Sequence, residues 1–376
     1  MSSMRQLTYV SPGKIEWREV PLPTLQSDGD ALVRPLAVTR CGLDLPIVTG
    51  KTGWAGPFAL GHETAGEVVA IGDALASFRP GDRVIVPFQV SFGQCAACRR
   101  GLTGNCESVP FRSSYGMAPL SGVDYGGGLS DLIRVPFADH MLLAQPPELD
   151  VAIAAGIADN VTDGFRSAVP YLQERPGARV LVVGGGLYAA QAAKVFGAAE
   201  VVYVDSEEGR LAVARTLGLN VVERGTFEGR APGSPFPITI DASWSSDGLG
   251  FAIRSTEHGG ICHRTYGGTE PLTCVPLRDM YGIGLSLHLS RVHARARMPE
   301  VIEHVRSGRL HPGMVITRRA KFAEAAEAIF DPTVKVVFVN EDAPAHDCAA
   351  DGGSCSCCPP GVRSAVPTSS SRPFAS

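Results

Sequence analysis

Residues 180–189 read VLVVGGGLYA, and this stretch decides the fold of the second half of the chain. The apolar run predicts a buried strand, and the glycines after it predict a tight turn into a helix that begins near Leu187. Gly184, Gly186 and Ala189 have the spacing G-x-G-x-x-A, a form of the dinucleotide-binding fingerprint. Small residues at these places let the backbone approach a pyrophosphate at the N-terminus of the helix. A Rossmann-type cofactor site, with Leu187 in its turn, is therefore expected here.

The next predicted strand supplies a residue that discriminates between dinucleotides. It spans residues 201–205, VVYVD, and ends in Asp205, 21 residues after Gly184. A carboxylate here accepts hydrogen bonds from ribose hydroxyls and repels a 2′-phosphate, so NAD is predicted over NADP. Arg210 follows shortly after Asp205 and keeps NADP as the less favoured alternative.

Strands and helices alternate around this turn. Segments of strand character are residues 201–205, 237–243 and 259–267, and segments of helix character are residues 151–169, 187–198 and 206–219. Alternation at this spacing predicts βαβ units and therefore an α/β domain with a doubly wound parallel sheet. Its predicted extent is residues 151–290.

The remainder of the chain differs from this domain in its amino-acid composition. Residues 1–150 contain short Val-rich runs separated by Gly and Pro, which predicts a β-rich, barrel-like domain. Two helical segments and the strand-like VKVVFVN at residues 334–340 are the last globular elements. Residues 341–376 are rich in Ser, Pro, Gly and Cys, which predicts a disordered tail.

The bulk composition excludes several classes of protein. Of 376 residues 44% are hydrophobic and 19% charged, which suits a globular chain with two cores. A net charge of -4 gives no reason to expect nucleic acid or an anionic membrane as partner. No apolar run is long enough to span a bilayer, and MSSMRQLTYV lacks the apolar core of a signal peptide. A cytoplasmic location is expected, where ten cysteines would not form a disulfide framework.

A second motif lies in the β-rich part. His62 and Glu63 open the segment GHETAGEVVAIG, GDRV follows at residues 81–84, and Cys41 lies 21 residues before His62. Cys and His are common zinc ligands, although each alone is more often an ordinary structural residue. Together, the pattern G-H-E-x-x-G-x-V and the GDRV segment resemble the zinc-dependent medium-chain alcohol dehydrogenase family over about residues 5–340.

The resemblance implies a fold and an activity. The fold is a GroES-like catalytic domain of residues 1–150, completed by residues 291–340, with the Rossmann domain of residues 151–290 inserted. The implied activity is zinc-dependent hydride transfer between NAD(H) and a small alcohol, aldehyde or ketone. The family also implies a homodimer or homotetramer.

The resemblance further implies the candidate catalytic residues. Cys41, His62 and Asp159 take the positions of the catalytic zinc ligands, and Glu63 orients the site or serves as an alternate ligand. Asp159 could instead be only a helix N-cap. Asp44 is expected to brace the site.

Two positions depart from the family pattern. Leu43 and Pro46 stand where relatives carry the hydroxyl and the second group of a proton relay, and neither side chain can pass a proton. The proton then leaves through water and the cofactor ribose, or the reaction differs. One alternative is a medium-chain reductase of C=C or C=N bonds that does not use catalytic zinc. Another is a non-catalytic, cofactor-binding protein.

A cysteine cluster resembles the structural zinc lobe of the family but is incomplete. Cys95, Cys98 and Cys106 keep the expected spacing, whereas Phe92 replaces the first cysteine. A structural zinc requires four ligands, so a second zinc at this lobe is a doubtful expectation. The tail cysteines Cys348, Cys355, Cys357 and Cys358 could in principle supply the fourth ligand, at the entropic cost of ordering the tail.

Three aromatic residues are considered for the substrate pocket: Trp54, Phe58 and Tyr125.

Overall fold

The computed structural model describes residues 3–268 and 272–341. Residues 342–376, which include the tail cysteines and almost all of the predicted disordered tail, lie outside the described residues. Sixteen strands occur in the described ranges: β1 Ser3–Ser11, β2 Lys14–Pro21, β3 Ala31–Thr39, β4 Phe58–Ala59, β5 Glu63–Ile71, β6 Arg83–Val86, β7 Ile133–Val135, β8 Leu143–Ala144, β9 Val180–Gly184, β10 Val201–Asp205, β11 Asn220–Glu223, β12 Phe236–Ala242, β13 Thr256–Arg264, β14 Ser286–Leu289, β15 Arg318–Lys321 and β16 Val336–Val339.

Eleven α-helices accompany these strands in the part of the chain that the structure describes. They are α1 Asp44–Val48, α2 Ala96–Arg99, α3 Ala138–Met141, α4 Val151–Ile157, α5 Asn160–Glu174, α6 Leu187–Val195, α7 Glu208–Thr216, α8 Ser246–Arg254, α9 Leu277–Ile283, α10 Ala294–Arg306 and α11 Ala325–Ala328. Short 3-10 helices cover Thr103–Asn105, Pro312–Val315 and Phe322–Glu324.

Two sheets form the β-rich part. The larger has the order β15-β16-β3-β5-β6-β8, with β7 also paired to β3, and the smaller has the order β2-β1-β4. β16, near the end of the described chain, pairs antiparallel with β3. The last described strand therefore returns to the first large sheet, which brings residues near 335 beside residues near 40.

The third sheet is wholly parallel, with the order β11-β10-β9-β12-β13-β14. Val180 and Val182 of β9 face one hydrophobic cluster, and Leu181 and Val183 face another, because side chains of a strand alternate between its faces. The chain leaves β9 toward β10 on one side and returns to β12 on the other. This is a topological switch point, where ligands bind at the carboxyl ends of the strands.

The helical segment predicted at residues 151–169 is in fact two helices. α4 ends at Ile157 and α5 begins at Asn160, and Asp159 between them has φ -148° and ψ -81°. The Ala-rich sequence favours helix only before this break, whereas Asn160, Thr162 and Gly164 after it have low helix propensity, so the sequence carries a local signal for the break that the prediction of one helix did not use. The break turns Asp159 out of the helical path, toward the β-rich sheet.

Candidate active site

Four metal-binding side chains meet where the two large sheets approach each other. Cys41 follows β3, His62 and Glu63 lie at the start of β5, and Asp159 lies at the break between α4 and α5. All four are buried, and one ligand atom from each lies within 4.8 Å of those of the others. The structure thus brings together the four residues that the sequence singled out for this site.

The His62 imidazole is buried without a hydrogen bond. Its Nδ1 lies 3.4 Å from Asp44 Oδ1, and its Nε2 lies 3.6 Å from Asp159 Oδ2. Burial disfavours the charged ring, but Asp44 and Asp159 outweigh burial and raise the pKa of His62 well above its ordinary value. The imidazole ring therefore lies between the Asp44 carboxylate, which can orient it, and the Asp159 carboxylate, which lies beside its Nε2.

The Cys41 sulfur accepts hydrogen bonds from two sides. The backbone N–H of Leu43 lies 3.4 Å from Sγ, and the Asn160 side-chain amide lies 3.2 Å from it. The backbone N–H of Cys41 donates to Asp44 Oδ2 at 2.8 Å. Burial raises the pKa of the Cys41 thiol. Asp44 contacts both Cys41 and His62, which is the bracing geometry expected from the sequence.

Lys335 is a central residue of the site that the sequence did not reveal. Its buried ammonium donates to Glu63 Oε2 and to Asn160 Oδ1, both at 2.7 Å. The Asn160 amide in turn donates to Asp159 Oδ2 at 3.1 Å. Lys335 therefore connects both candidate carboxylate ligands, directly through Glu63 and through Asn160 to Asp159.

The only local signal for Lys335 is a charged residue inside the apolar segment VKVVFV. A lysine buried among strand residues requires a partner. That partner, Glu63, is 272 residues away in sequence. The pairing depends on the return of β16 to β3, which a local pattern does not predict.

The cluster fits a divalent cation. With His62 neutral, the form that binds metal, the single positive charge of Lys335 faces up to three negative charges, from Glu63, Asp159 and a Cys41 thiolate. Both His62 nitrogens and Glu63 Oε1 are buried with no hydrogen-bond partner. A dication would balance the charge and give these atoms a partner, and sulfur, nitrogen and oxygen donors together suit zinc.

A cleft of about 590 Å³ opens onto this cluster. Cys41 and Asp159 line it together with Gly185 and Gly186 of the nucleotide-binding turn, so the two predicted sites share one cavity. Leu43 and Trp54 also line it.

The other predicted pocket residues lie elsewhere. Phe58 is buried and packs against Tyr9, with ring centroids 4.9 Å apart, and Tyr125 packs against Tyr115 at 6.2 Å. Of the three aromatic residues considered from the sequence, Trp54 alone is among the residues that line the cleft.

The glycine-rich turn has the close approach that its sequence predicted. Gly184 has φ +78°, and a Cβ at this position would lie 2.5 Å from the Ser243 backbone. Gly186 stands at the N-cap of α6, where no side chain makes a capping hydrogen bond. The N-terminus of α6, beginning at Leu187, is therefore open toward the cleft and fits an anionic phosphate.

Asp205 and Arg210 form an ion pair. Asp205 accepts from Arg210 Nε at 2.6 Å and from its terminal nitrogen at 2.8 Å. The Tyr203 hydroxyl and the backbone N–H groups of Ser206 and Glu207 also donate to Asp205. Burial opposes ionisation of Asp205, but Arg210 and the other donors lower its pKa below the ordinary value. Both residues lie at the end of β10, where the sequence places ribose recognition.

The cysteine lobe gathers three thiols and no fourth ligand within the described ranges. Cys95 Sγ and Cys106 Sγ are 3.8 Å apart, and backbone N–H groups of Phe92 and Glu107 donate to these sulfurs at 3.3 Å. The Phe92 ring packs against Phe137, with centroids 5.2 Å apart. Among the described residues the lobe therefore lacks the closed donor set of a structural zinc, and the residue at the fourth cysteine's position makes an apolar contact instead.

With the fold and the site described, the chain can be compared with known proteins. Residues 27–146 match the alcohol dehydrogenase GroES-like domain. A glutathione-independent formaldehyde dehydrogenase of Pseudomonas aeruginosa is 34% identical over 240 residues, which is 59% of this chain and 59% of that protein. The chain thus spans about three fifths of the length of that relative. L-galactonate-5-dehydrogenase of Escherichia coli K12 is 31% identical over 272 residues, 69% of this chain and 75% of that protein.

Solved structures agree with these relatives. Alcohol dehydrogenase TADH from Thermus sp. ATN1 superposes with a TM-score of 0.80 at 28% identity, over 90% of this chain and all of that one. The chain belongs to the zinc-dependent medium-chain alcohol dehydrogenase family. The family predicted from the sequence is confirmed, and so is the α/β fold class with a GroES-like part and a parallel-sheet part. Among the described residues, no helix is long and apolar enough to cross a membrane.

Proposed function

We propose that this chain is a zinc-dependent oxidoreductase that transfers a hydride between NAD(H) and an alcohol or carbonyl substrate. The observation that carries the proposal is the shared cleft. Cys41 and Asp159 of the metal-binding cluster and Gly185 and Gly186 of the nucleotide-binding turn line one cavity. A metal and a dinucleotide held by these groups would both reach one substrate.

Each residue of the cluster has a distinct part in this proposal. Cys41, His62 and Asp159 hold the metal, with Glu63 as alternate ligand. Asp44 fixes the orientation of His62, and the Lys335 ammonium holds Glu63. When bound, zinc supplies a Lewis acid and the dinucleotide supplies a hydride donor or acceptor.

The lining of the cleft supports the same chemistry. Leu43, Trp54 and Phe88 give the cavity apolar walls beside Cys41, and such walls reduce water near a reacting carbon. Leu43 carries no exchangeable proton, so proton exit uses water or the cofactor ribose in this proposal. A Cβ at Gly184 would lie 2.5 Å from the Ser243 backbone and one at Gly186 would lie 2.9 Å from the Val182 side chain, so the tight turn proposed to hold the pyrophosphate requires glycine at both positions.

For the dinucleotide we propose NAD. Asp205 lies buried and ionised at the end of β10, and a carboxylate there opposes a 2′-phosphate. Arg210 is committed to Asp205 through two hydrogen bonds, which lessens its availability to a phosphate. NADP stays the alternative, and direct comparison of NADH and NADPH binding by fluorescence titration decides between them.

A homo-oligomer is also part of the proposal, and an exposed sheet edge supports it. All four residues of β14 are exposed at the edge of the parallel sheet, and Leu289 is 56% exposed. On the adjacent helix α9, Leu277 and Tyr281 are 68% and 91% exposed. An open apolar edge of this kind favours pairing with a second chain. Light scattering of the purified 39.6 kDa chain tests for a dimer or tetramer.

A cytoplasmic location stays a prediction from composition.

The test of the activity is a screen of alcohols and aldehydes for change in NADH absorbance, before and after chelation of the metal. Turnover that disappears with chelation and returns with zinc supports the proposal. Full activity in a metal-free preparation contradicts it and favours a zinc-independent reductase, for which the missing hydroxyl at Leu43 is the specific observation.

A further inference from the structure

Two arginines of the same cleft lie near one aromatic ring. Arg112, Phe111 and Arg291 all line the cavity. The Arg112 guanidinium lies 5.4 Å from the centroid of the Phe111 ring, and the Arg291 guanidinium lies 5.6 Å from it. Phe111 is 62% exposed, so the two cations and the ring form an open surface of the cleft.

Neither guanidinium has an acidic partner among the residues that the structure describes. The ion pairs found there include neither arginine, and Arg291 Nε is buried with no hydrogen-bond partner. A buried guanidinium N–H without an acceptor is costly, and two cations near each other add repulsion. Burial first, and then the charge of Arg112, lowers the pKa of Arg291. A bound anion would relieve both costs.

The acids that line the cleft are already engaged. Asp163 pairs with Arg166 at 2.6 Å, and Asp159 lies in the metal-binding cluster. On the side of Arg291, the next titratable residue is His293, whose pKa falls to about 4 because of burial and nearby arginines. This wall of the cleft is therefore positive, with no carboxylate left to neutralise it within the described ranges.

The backbone holds Arg112 in an unusual conformation. Its φ is +67°, a left-handed value that costs free energy for a residue with a Cβ. The adjacent Ser113 fixes the turn, because its hydroxyl donates to the Pro110 carbonyl at 2.7 Å and its own carbonyl accepts from Val90 N–H at 3.1 Å. These hydrogen bonds therefore hold the turn that places Arg112 in the wall of the cleft.

We propose that Arg112 and Arg291 form a subsite for the anionic end of the substrate, a carboxylate or a phosphate. The inference rests on the proposed function, since it places the reacting hydroxyl or carbonyl at the metal-binding cluster of the same cleft. The preferred substrates are then hydroxy acids, their oxo counterparts or phosphorylated alcohols. Two guanidinium groups recognise such oxygens through paired, charge-assisted hydrogen bonds.

The dinucleotide is a second possible source of anionic oxygens. Its pyrophosphate is expected at Gly186 and the N-terminus of α6, where backbone groups are open. The expected pyrophosphate contact at the N-terminus of α6 does not involve Arg112 or Arg291. The experiment therefore measures cofactor binding and substrate binding separately.

The test uses pairs of related compounds in which one member carries an anionic group and the other a neutral hydroxyl at the same position. Glycolate is compared with ethylene glycol, gluconate with glucitol, and glycerol 3-phosphate with glycerol. Calorimetric titration of the zinc-loaded enzyme with NADH present measures binding without turnover, and kcat/KM with NAD measures reaction. We expect at least one anion to bind about 10- to 100-fold more tightly than its neutral counterpart, the range for charged hydrogen bonds in a desolvated site.

The variants are Arg112→Gln, Arg291→Gln and the double substitution, with Arg306→Gln as control. Arg306 is 49% exposed, pairs with Glu303 on α10, and does not line the cleft. We expect the preference for anions to fall to within about threefold in the double variant and to persist in the control, by loss of the charged hydrogen bonds. Thermal unfolding confirms that each variant is folded.

Each outcome has a separate meaning. Equal binding of charged and neutral partners by the wild type, or an unchanged preference in the double variant, overturns the subsite. Weaker NADH binding in the double variant, with no change in anion preference, also overturns it and assigns the arginines to the cofactor. Anion binding that depends on the arginines, without any turnover, supports the subsite and contradicts the proposed reaction. Turnover without a charge preference supports the proposed reaction and contradicts the subsite.

Discussion

The two clusters of metal-binding side chains in this chain differ in how they are supported. The cluster at Cys41 combines sulfur, nitrogen and oxygen donors, all buried, and Asp44, Asn160 and Lys335 contact those donors. The lobe at Cys95 has three sulfurs, which contact one another and accept hydrogen bonds from backbone N–H groups. Phe92 stands at the position in the sequence where the family pattern has a fourth cysteine.

From this difference we expect the surroundings of the ligands to be a better guide to metal binding than ligand spacing in the sequence. Outer contacts orient metal ligands and tune their affinity. At the first cluster these contacts come from residues far apart in sequence. At the lobe, an apolar ring has replaced a ligand, and contact with Phe137 stabilises the loop instead.

The largest expected effect separates the two clusters by activity. Cys41→Ser should lower kcat/KM for any substrate by about 10³-fold or more, because loss of the Lewis acid costs several kcal/mol at the transition state. Cys106→Ser in the lobe should change kcat/KM by less than about fivefold, since it lies outside the cleft. Steady-state kinetics of the two purified variants measures the contrast, and similar losses in both would show that the lobe supports catalysis.

A second pair of variants compares the two carboxylates of the first cluster. Asp159→Asn should weaken zinc affinity more than Glu63→Gln, because Glu63 Oε2 already accepts from Lys335, whereas Asp159 lies beside His62 Nε2. We expect roughly 100-fold for Asp159→Asn and about tenfold for Glu63→Gln, as for an inner ligand against an outer one. Competition with a chromogenic chelator gives both constants. The reverse order would make Glu63 the third ligand.

Lys335 tests whether outer support matters in the first cluster. Lys335→Met keeps an unbranched side chain one atom shorter but removes the cation, and should weaken zinc binding by about 10- to 100-fold. It should also destabilise the fold by about 3 kcal/mol, since Glu63 then has no buried partner. Lys335→Arg is the matched control and should recover part of both losses. Unaltered zinc affinity in Lys335→Met would limit Lys335 to a structural role.

Phe92→Cys tests the lobe in the opposite direction. The substitution restores four cysteines at the spacing of a structural zinc, so the variant should retain one more zinc per chain than the wild type after gel filtration. Phe92→Ser, which removes the ring without adding a thiol, is the control and should not. Retention of the same extra zinc by wild-type protein would mean that three thiols suffice.

The effect that bears least on metal binding concerns a histidine next to the lobe. His140 Nε2 lies 3.0 Å from Ser91 Oγ, and burial lowers the pKa of His140 from 6.5 to about 4. The folded state therefore favours neutral His140, so stability is present above pH 6.5 and is lost as the pH falls toward 4. The slope from one such group is at most about 1.4 kcal/mol per pH unit. Denaturant unfolding at several pH values should show a shallower loss in His140→Gln, and identical curves would contradict the assignment.

Much of the fold could be predicted because its signals are local. Residues 180–189 alone contain the apolar run, the turn and the helix start, and the structure places β9, the glycine turn and α6 there. The ligand candidates Cys41 and His62 were accessible for the same reason, through short motifs that resemble a known family.

What could not be predicted depends on contacts across the fold. The break at Asp159 lies between an Ala-rich helix and a helix that opens with residues of low helix propensity, and what the local sequence does not predict is that it places Asp159 beside His62. Lys335 and Asn160 meet only because β16 pairs with β3. The juxtaposition of Arg112 and Arg291, 179 residues apart, likewise exists only in the folded cleft.

Zinc content per chain tests the central claim most directly. Wild type, Cys41→Ser and Cys106→Ser are dialysed against a mild chelator, and zinc is measured by mass spectrometry beside protein concentration. The account predicts about one zinc per chain in wild type and Cys106→Ser and almost none in Cys41→Ser, because affinity follows the complete donor set. Zinc that persists in Cys41→Ser and disappears from Cys106→Ser would contradict it.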